Sequence, residues 1–269
     1  MITAGIDVGS TYTKAILLDE NDNIVGKAMC KTGFRLTEAA RRCFDAVLEE
    51  AGKTESDVEY LVATGYGRDQ VDFKDLKVTD LTASARGARL MFPGTRCVLD
   101  VGGQTMKAIR LEEDGKIKSF RMNDKCAAGT GAFLEKTARY MGYTVQEISN
   151  LLETSHNPAE ISGVCAVFAE SEVINQLSLG TPPADIMQGS IDSLTTRAVQ
   201  LMKRVKAEPE ITLIGGIMRF PTMPRTVEGR IDSIPNLADG DMPQFLTALG
   251  AAWLGRLRFK KLQAETVTA

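Results

Sequence analysis

Histidine is almost absent from this chain, and close cysteine pairs are missing altogether. The one histidine, His156, leaves little room for histidine-based metal binding or acid–base catalysis. The cysteines are odd in number, widely spaced and without a CxxC pair, which argues against a disulfide framework. They are Cys30, Cys43, Cys97, Cys126 and Cys165. This cysteine usage is typical of a cytoplasmic protein.

Long apolar runs and a strong net charge are also absent. No apolar stretch approaches the ~18 residues that a membrane span requires, so we expect no membrane segment. The net charge is −3 and the basic residues are scattered, which gives no sign of a surface for nucleic acid or membrane. The N-terminal residues contain neither a basic segment nor a cleavage site, so we expect no signal peptide. Together these absences favour a cytoplasmic location.

The chain does contain an internal repeat within an ordinary globular composition. Its 269 residues, 43% hydrophobic and 25% charged, suffice for one large domain or two modest ones. Residues 5–11 (GIDVGST) lead into 14–18 (KAILL), and residues 99–104 (LDVGGQ) lead into 107–111 (KAIRL). Asp, Val, Gly, Lys, Ala, Ile and Leu recur at the same offset. Two copies of this kind predict two similar lobes rather than a solenoid.

Each copy of the repeat predicts strand, glycine turn, strand, hairpin and strand, because Asn, Asp and Gly cluster after its second apolar run. Apolar residues between 36 and 48 lie on one helical face, and Gly52 ends that helix. Strands that alternate with helices predict an α/β architecture. The remaining predicted elements are helices beginning near Cys126, over 186–205 and over 245–257, strands over 59–64 and 211–214, and a loop around Pro235 and Pro243.

The glycine turns predict phosphate binding. A strand that ends in Asp-x-Gly presents several backbone N–H groups to one point, and glycine lets the backbone approach a phosphate closely. In the first turn, hydroxyl groups and an ammonium group would add further donors. The predicted phosphate contacts are Gly9, Ser10, Thr11, Thr13, Lys14, Gly102 and Gly103.

Three polar side chains at these turns have the chemistry of ATP hydrolysis. Asp7 and Asp100 are expected at exposed strand ends, where a carboxylate repels phosphate but can hold hydrated Mg²⁺ or orient water. Gln104 is a candidate to position the attacking water. Two ordinary hairpin turns are the alternative interpretation. The matched offsets, with Gly215 and Gly216 after a third strand, favour an ATPase.

This trio of glycine turns resembles the sugar-kinase/actin superfamily. The resemblance implies a two-lobed, ribonuclease H-like α/β ATPase fold with duplicated lobes and ATP or ADP in the cleft between them. Phosphate loops would come from both lobes, and Gly215 and Gly216 would approach the adenosine. We assign residues 1–94 and 245–269 to lobe I and residues 95–244 to lobe II. No further carboxylate stands in a sugar-binding context, so the fold alone does not make the chain a kinase.

Two cysteines are predicted where a loop passes into an apolar-periodic helix, namely Cys126 and Cys165. A helix N-terminus stabilises anions and lowers a thiol pKa, so it suits an anionic iron–sulfur cluster with thiolate ligands. Two ligands are too few for a [4Fe-4S] cluster, but two chains related by a two-fold axis would supply four. From spacing alone, the alternative of two small buried core residues stays open.

Several motifs together resemble one family: the activators of 2-hydroxyacyl-CoA dehydratases and the ATPase subunits of benzoyl-CoA reductase. The resemblance covers nearly the whole chain, and the two cysteine motifs are highly specific. The motifs are residues 6–11 (IDVGST), 63–68 (ATGYGR), 100–104 (DVGGQ), 123–131 (NDKCAAGTG), 165–174 (CAVFAESEVI) and 248–252 (ALGAA).

The resemblance implies a [4Fe-4S] cluster that bridges two ATPase subunits, with Cys126 and Cys165 as the ligands from this chain. The second ATPase subunit would be homologous or identical. ATP hydrolysis would drive a low-potential electron, from a donor such as ferredoxin, into catalytic subunits that bind a CoA thioester. Cys30, Cys43 and Cys97 match no ligand motif, and we interpret them as structural.

One departure from the activators concerns the residues after Gly216. Activators usually continue with small residues and an asparagine, whereas this chain has Ile-Met-Arg-Phe-Pro over residues 217–221. This favours an ATPase subunit of a benzoyl-CoA reductase over a homodimeric dehydratase activator. Arg219 or Phe220 would either stack on the adenine or pack the turn. A small-molecule kinase with structural cysteines and a non-catalytic nucleotide-binding regulator stay open as other classes of function.

Overall fold

The computed structural model describes residues 1–123, 130–162 and 166–267. The chain forms two compact units: unit 1 comprises Met1–Gly94 with Phe245–Ala269, and unit 2 comprises Thr95–Gln244. The strands are β1 (Ile2–Val8), β2 (Tyr12–Asp19), β3 (Ile24–Lys31), β4 (Val58–Gly65), β5 (Leu76–Lys77), β6 (Cys97–Val101), β7 (Met106–Leu111), β8 (Ile117–Asn123), β9 (Ile211–Ile214) and β10 (Asn236–Leu237). The helices are α1 (Leu36–Ala51), α2 (Asp80–Met91), α3 (Gly131–Tyr140), α4 (Ile148–Leu152), α5 (Ala166–Ser178), α6 (Pro183–Arg204), α7 (Thr222–Glu228) and α8 (Leu246–Val267).

The two sheets have the same topology. In unit 1 the strand order is β3-β2-β1-β4-β5, and in unit 2 it is β8-β7-β6-β9-β10. In each sheet the first three strands in the chain are antiparallel neighbours, and the last two are parallel to the first. The duplicated sequence pattern therefore corresponds to a duplicated sheet.

Unit 1 buries both faces of its sheet. On one face α1 packs its apolar stripe, which includes Cys43, Phe44 and Val47, against β1, β2 and β4. The helix ends at Gly52, whose left-handed backbone (φ +62°) is the favoured helix-ending conformation. The other face is covered by α2 and α8. Packing on both faces holds the sheet in place, and with it the carboxyl ends of β1 and β4.

The backbone of helix α8 lies directly against the backbones of β1 and α2. A Cβ on Gly5 of β1 would lie 2.0 Å from the carbonyl oxygen of Ala248, and one on Gly250 would lie 1.9 Å from the carbonyl oxygen of Ala83. Only glycine permits such an approach. The small residues of α8 therefore allow close packing against β1 and α2.

Three predicted elements differ in their extent. The last helix continues to Val267 instead of ending at 257, because exposed residues with good helix propensity follow its buried part. The region predicted as loop around Pro235 and Pro243 contains β10, and the preceding segment forms α7, whose Met223 and Val227 are buried. In the described residues α3 begins at Gly131 rather than near Cys126.

None of the helices in the described part of the chain combines the length and the apolar character that a membrane crossing requires.

Candidate nucleotide site

Asp7 at the carboxyl end of β1 is paired with Lys14 on β2. Antiparallel pairing sets these two residues opposite each other, so their side chains project to the same face. Lys14 Nζ donates to Asp7 Oδ2 at 3.0 Å. Only 16% of the lysine side chain and 10% of the aspartate side chain are exposed. A paired cation therefore holds this carboxylate in one orientation.

A glycine on the other side of Asp7 makes room for its carboxylate. Strand β4 runs parallel to β1, with Thr64 beside Asp7 and Gly65 beside Val8. Gly65 has a φ of +87°, and a Cβ on it would lie 2.3 Å from Asp7 Oδ1. Both the left-handed backbone and the short contact require glycine. Thr64 is fully buried, and its Oγ1 has no hydrogen-bond partner among the described residues.

The turn after β1 is the predicted phosphate loop of unit 1. The Gly9 N–H donates to the carbonyls of Asp7 at 3.1 Å and Tyr12 at 3.2 Å, which closes the turn. A Cβ on Gly9 would lie 2.7 Å from the Tyr12 carbonyl oxygen. Ser10 and Thr11 are half-buried, and their N–H groups have no acceptor in the described part of the chain. The turn thus presents two unused donors beside Asp7.

Thr13 does not belong to this turn surface. It is fully buried, and its Oγ1 lies 3.0 Å from Thr32 Oγ1, so the two hydroxyls bond to each other inside the unit. The residue occupies the inward position on β2, whereas Lys14 occupies the position that faces Asp7. The predicted phosphate contact of Thr13 is therefore wrong, because strand alternation turns its side chain into the core.

Unit 2 repeats the arrangement. Antiparallel pairing of β6 with β7 sets Asp100 opposite Lys107, and Lys107 Nζ lies 3.4 Å from Asp100 Oδ2. The Asp100 side chain is 11% exposed and the Lys107 side chain is 7% exposed. Strand β9 runs parallel beside β6, with Ile214 next to Asp100. Gly215 follows with a φ of +100°, and a Cβ on it would lie 2.9 Å from Asp100 Oδ1.

The turn after β6 repeats the closing hydrogen bond of the turn after β1. The Gly102 N–H donates to the Thr105 carbonyl at 2.8 Å. The N–H groups of Gly103 and Gln104 have no acceptor among the residues that the structure describes. The Gln104 side chain is exposed at this turn. Each unit therefore presents a buried carboxylate, a lysine and a pair of unused backbone donors at one sheet edge.

Both aspartates are buried, contrary to the expectation of exposed strand ends. Asp7 is 7% exposed and Asp100 is 8% exposed. The paired lysine covers one side of each carboxylate, and the neighbouring strand covers the other. Each Asp–Lys pair is formally neutral, so it can sit near a polyanion without net repulsion. Carboxylate oxygens are also ligands that Mg²⁺ prefers, directly or through water, and the residues present therefore fit MgATP.

The turn after β9 contains the predicted adenosine-side glycines. The Gly215 N–H donates to the Pro243 carbonyl at 2.8 Å. A Cβ on Gly216 would make an ordinary van der Waals contact, 3.7 Å from Gln244 Oε1. Phe220 is 3% exposed in the core of unit 2, and the Arg219 guanidinium lies 5.0 Å from its ring centroid. Phe220 therefore packs the turn rather than offering a free face to adenine.

The cysteines predicted as cluster ligands, Cys126 and Cys165, lie outside the described residues. Within the described residues no group of three or more His, Cys, Asp or Glu side chains could hold a metal ion. Cys43 and Cys97 are fully buried, and burial raises the pKa of both thiols, that of Cys97 to about 12. Cys43 Sγ also donates to the Thr13 carbonyl at 3.3 Å. Such thiols are inert, as expected for structural cysteines.

Sequence reasoning left out three residues that border the aspartates. Lys107 was visible as the counterpart of Lys14 in the repeat, so the repeat itself was a sufficient signal. Gly65 occupies the same place beside Asp7 that Gly215 occupies beside Asp100. The sequence did show a glycine at the end of the predicted strand 59–64, and this could have identified Gly65. The unpartnered hydroxyl of Thr64 has no signature in the sequence.

Comparison with known proteins identifies close relatives. The activator of lactoyl-CoA dehydratase from Anaerotignum propionicum is 40% identical over 252 residues, which cover 94% of this chain and 96% of the relative. One benzoyl-CoA reductase subunit from Thauera aromatica is 34% identical, with 97% of this chain and 95% of the relative covered. Among solved structures, the activator of the 2-hydroxyisocaproyl-CoA dehydratase from Clostridium difficile with bound ADPNP has a TM-score of 0.92 at 35% identity, and 98% of each chain is covered.

These comparisons confirm the predicted fold and qualify one prediction. Sugar kinases of known structure share the fold at low sequence identity, as expected for the sugar-kinase/actin type. The preference for a benzoyl-CoA reductase subunit over a dehydratase activator gains no support, because the activator from A. propionicum is at least as similar as the reductase subunit.

The family itself follows from the extent of the match. The model of the BadF/BadG/BcrA/BcrD ATPase family matches residues 4–255, which include both glycine turns and both cysteine motifs. Relatives of more than 30% identity span nearly the whole length of the chain. This chain belongs to the BadF/BadG/BcrA/BcrD ATPase family.

Proposed function

We propose that this chain hydrolyses ATP to drive low-potential electrons into a partner enzyme that acts on a CoA thioester. The observation that carries the proposal is the duplicated Asp–Lys pair with its strand-end glycine, present in both units of a chain from this ATPase family. Single turns of this kind occur in many proteins. Two copies in equivalent sheets favour a nucleotide-binding ATPase over two unrelated hairpin turns.

The roles at the nucleotide follow from the chemistry of each group. Asp7 and Asp100 hold hydrated Mg²⁺ and orient water, and the exposed Gln104 positions the attacking water. The phosphates take the unused backbone donors of the two turns, with Lys14 as a nearby charge. The residues proposed to contact the nucleotide are Gly9, Ser10, Thr11, Lys14, Gly102, Gly103, Gly215 and Gly216.

The electron carrier in this proposal is a [4Fe-4S] cluster. Cys126 and Cys165 supply thiolates, the donor type that such clusters require, and they provide half of the four ligands. A second ATPase subunit, identical or homologous, provides the other half. When bound, the cluster supplies one-electron transfer. A small low-potential donor such as ferredoxin would supply the electron in the cytoplasm.

The partner is either a 2-hydroxyacyl-CoA dehydratase or a benzoyl-CoA reductase-like enzyme. The first is favoured by the 40% identity to a dehydratase activator. The second is favoured by the residues after Gly216, where this chain has Ile-Met-Arg-Phe-Pro. In either case the CoA thioester binds the partner. Supplying the purified protein to a dehydratase and to the catalytic subunits of a reductase, and measuring turnover of each, separates the two partners.

Anaerobic purification followed by iron analysis tests the electron-transfer proposal. We expect a brown protein with about four irons per pair of chains and a paramagnetic signal after reduction. ATP hydrolysis should occur without any added phosphate acceptor. A colourless protein that stays iron-free after reconstitution and phosphorylates a small molecule would be a kinase. One that binds ATP without hydrolysing it would be a regulator.

A further inference from the structure

The second phosphate turn has two sides. On one side, the Gly102 carbonyl accepts from the Gly131 N–H at 3.0 Å, and the Gly103 carbonyl accepts from the Ala132 N–H at 2.7 Å. The N–H groups of the same two peptide units belong to Gly103 and Gln104, which are the unused donors described above. In a planar trans peptide the carbonyl and the N–H point in opposite directions. The carbonyl side of the turn therefore binds α3, while the N–H side can donate hydrogen bonds to a phosphate.

The carbonyls of this turn cap the first turn of α3. Gly131 and Ala132 are the first residues of that helix, and a helix leaves its first N–H groups without internal partners. A phosphate that binds the donor side fixes the plane of each peptide unit and polarises its carbonyl, which strengthens the bond to α3. The start of α3 is also close to the turn after β9, since a Cβ on Gly131 would lie 2.7 Å from Ile217 Cδ1.

Lys136 connects α3 to α5. Its Nζ donates to Glu170 Oε2 at 2.6 Å, and the lysine and glutamate side chains are 39% and 25% exposed respectively. The carboxylate of Glu170 raises the pKa of Lys136, with a smaller contribution from Tyr140. A charged pair therefore links the two helices at the surface of unit 2.

Helix α5 is in turn tied to the residue that precedes the second cysteine motif. The Ser162 N–H donates to Glu172 Oε2, and Ser193 Oγ donates to the Ser162 carbonyl at 3.2 Å. Residue 162 is the last described residue before the segment that contains Cys165. A shift of α5 would thus be passed to Ser162.

We propose that Lys136 and Glu170 are positioning residues that transmit nucleotide occupancy of the second phosphate turn from α3 to α5. The contacts run from the turn carbonyls through α3 and the ion pair to α5, all within unit 2. This inference rests on the proposed function, because it assumes that the turn binds phosphate. Neither side chain belongs to the turn, so their replacement should change nucleotide affinity by no more than the coupling itself, about three-fold.

Hydrogen–deuterium exchange of the full-length protein, with and without a non-hydrolysable ATP analogue and Mg²⁺, tests the inference without requiring a cluster. In the wild type we expect the analogue to slow exchange in the peptides of the turn, of α3 and of α5. In Lys136→Met, slowing at the turn should persist, while slowing in α5 should fall by about three-fold, the order of effect expected for a partly exposed ion pair.

Matched variants separate positioning from a general structural effect. Lys118→Met removes a comparably exposed pair with Glu112 that does not connect α3 and α5, and it should leave the response of α5 at the wild-type level. The exchanged pair Lys136→Glu with Glu170→Lys should restore that response. If α5 responds equally in the wild type and in Lys136→Met, or does not respond in the wild type although the turn does, the inference is wrong. If the turn itself shows no response, the proposed nucleotide site is wrong.

Discussion

Lys14 Nζ donates to Asp7 Oδ2 at 3.0 Å from the neighbouring antiparallel strand, and the same contact recurs between Lys107 and Asp100. Because these residues are opposed in their ladders, the strand register alone determines the pairing. Each pair is buried, so breaking one by truncation leaves an unpaired charge and costs about 3–5 kcal/mol of stability. Variants that probe catalysis should therefore keep the shape and hydrogen bond of the carboxylate.

Asp7→Asn and Asp100→Asn should each lower the rate of ATP hydrolysis by on the order of 100-fold or more while the protein stays folded. The amide keeps the shape of the carboxylate and can still accept a hydrogen bond from the paired lysine, but it lacks the negative charge that holds hydrated Mg²⁺. The lysine charge is then uncompensated, so we also expect some loss of stability. The measurement is phosphate release with thermal unfolding in parallel. Asp69→Asn is the matched control, since Asp69 forms an exposed pair with Lys77 and should change neither quantity. A wild-type rate in either variant would refute the role of that aspartate.

Gly65→Ala and Gly215→Ala should displace the carboxylates beside them. Each position combines a left-handed backbone with a Cβ contact to aspartate, at 2.3 Å in unit 1 and 2.9 Å in unit 2. We expect destabilisation of about 1–3 kcal/mol and a loss of ATP hydrolysis. The measurements are urea unfolding and phosphate release.

Two other glycines provide controls that separate backbone strain from the contacts of the added Cβ, which involve the Val8 and Val101 carbonyl oxygens (2.6 and 2.3 Å) as well as the aspartates. Gly33 (φ +65°) and Gly142 (φ +82°) have nothing within 4 Å of the position that a Cβ would occupy. Gly33→Ala and Gly142→Ala should therefore show the cost of strain alone, without loss of hydrolysis beyond that expected from stability. Equal loss of activity in the controls and in the test variants would mean that the contact with aspartate is unimportant.

The repeat allowed the two sheets and both phosphate turns to be predicted from the sequence, and Gly215 was predicted from the strand that precedes it, whereas the pairing of each aspartate with a lysine and the position of Gly65 were not predicted. The burial of Asp7 and Asp100 was not predictable, because each carboxylate is covered by the side chain of a lysine on the neighbouring strand. The prediction for Thr13 was wrong because it assumed that every hydroxyl near the turn faces the phosphate. It ignored the alternation of side chains along β2. Helix α7 was missed because Pro221 and Pro224 flank or interrupt its short pattern, although proline is compatible with a first helical turn.

Cys97→Ala should make the protein less sensitive to alkaline pH. Burial raises the pKa of this thiol from 9.0 to about 12 in the folded state. The folded protein thus retains the thiol proton more tightly than the unfolded chain does. The contribution to stability is full below pH 9 and is lost as the pH rises from 9 towards 12. Urea unfolding at several pH values checks this, and the wild type and the variant should differ in slope only above pH 9. Parallel slopes throughout would contradict the assigned pKa shift.

Cys126→Ser and Cys165→Ser should each abolish or destabilise the proposed cluster, because each removes one of the two thiolates that this chain supplies to it. Iron content and the paramagnetic signal of the reduced protein are the measurements. Cys43→Ala is the control, because Cys43 is a fully buried thiol with a raised pKa. The Cys43→Ala variant should retain the cluster. Full iron occupancy in Cys126→Ser would refute its assignment as a ligand.

The proposed cluster should also respond to nucleotide. The turn after β6 binds the first residues of α3 through its carbonyls, so phosphate binding on its donor side should alter the start of the helix that follows the first cysteine motif. Helix N-termini stabilise the negative charge of a cluster, and moving one changes the reduction potential or the exposure of the cluster.

Midpoint potential and accessibility to an iron chelator should therefore differ between protein without nucleotide, with ADP and with a non-hydrolysable ATP analogue. The shift can be no larger than the difference in nucleotide affinity between the two states of the protein. The coupling must also be reciprocal, so the redox state that ATP favours should bind ATP more tightly, which a nucleotide titration of oxidised and reduced protein measures independently. If potential, accessibility and both affinities are the same in all conditions, ATP does not control this cluster, and hydrolysis serves another purpose than electron transfer.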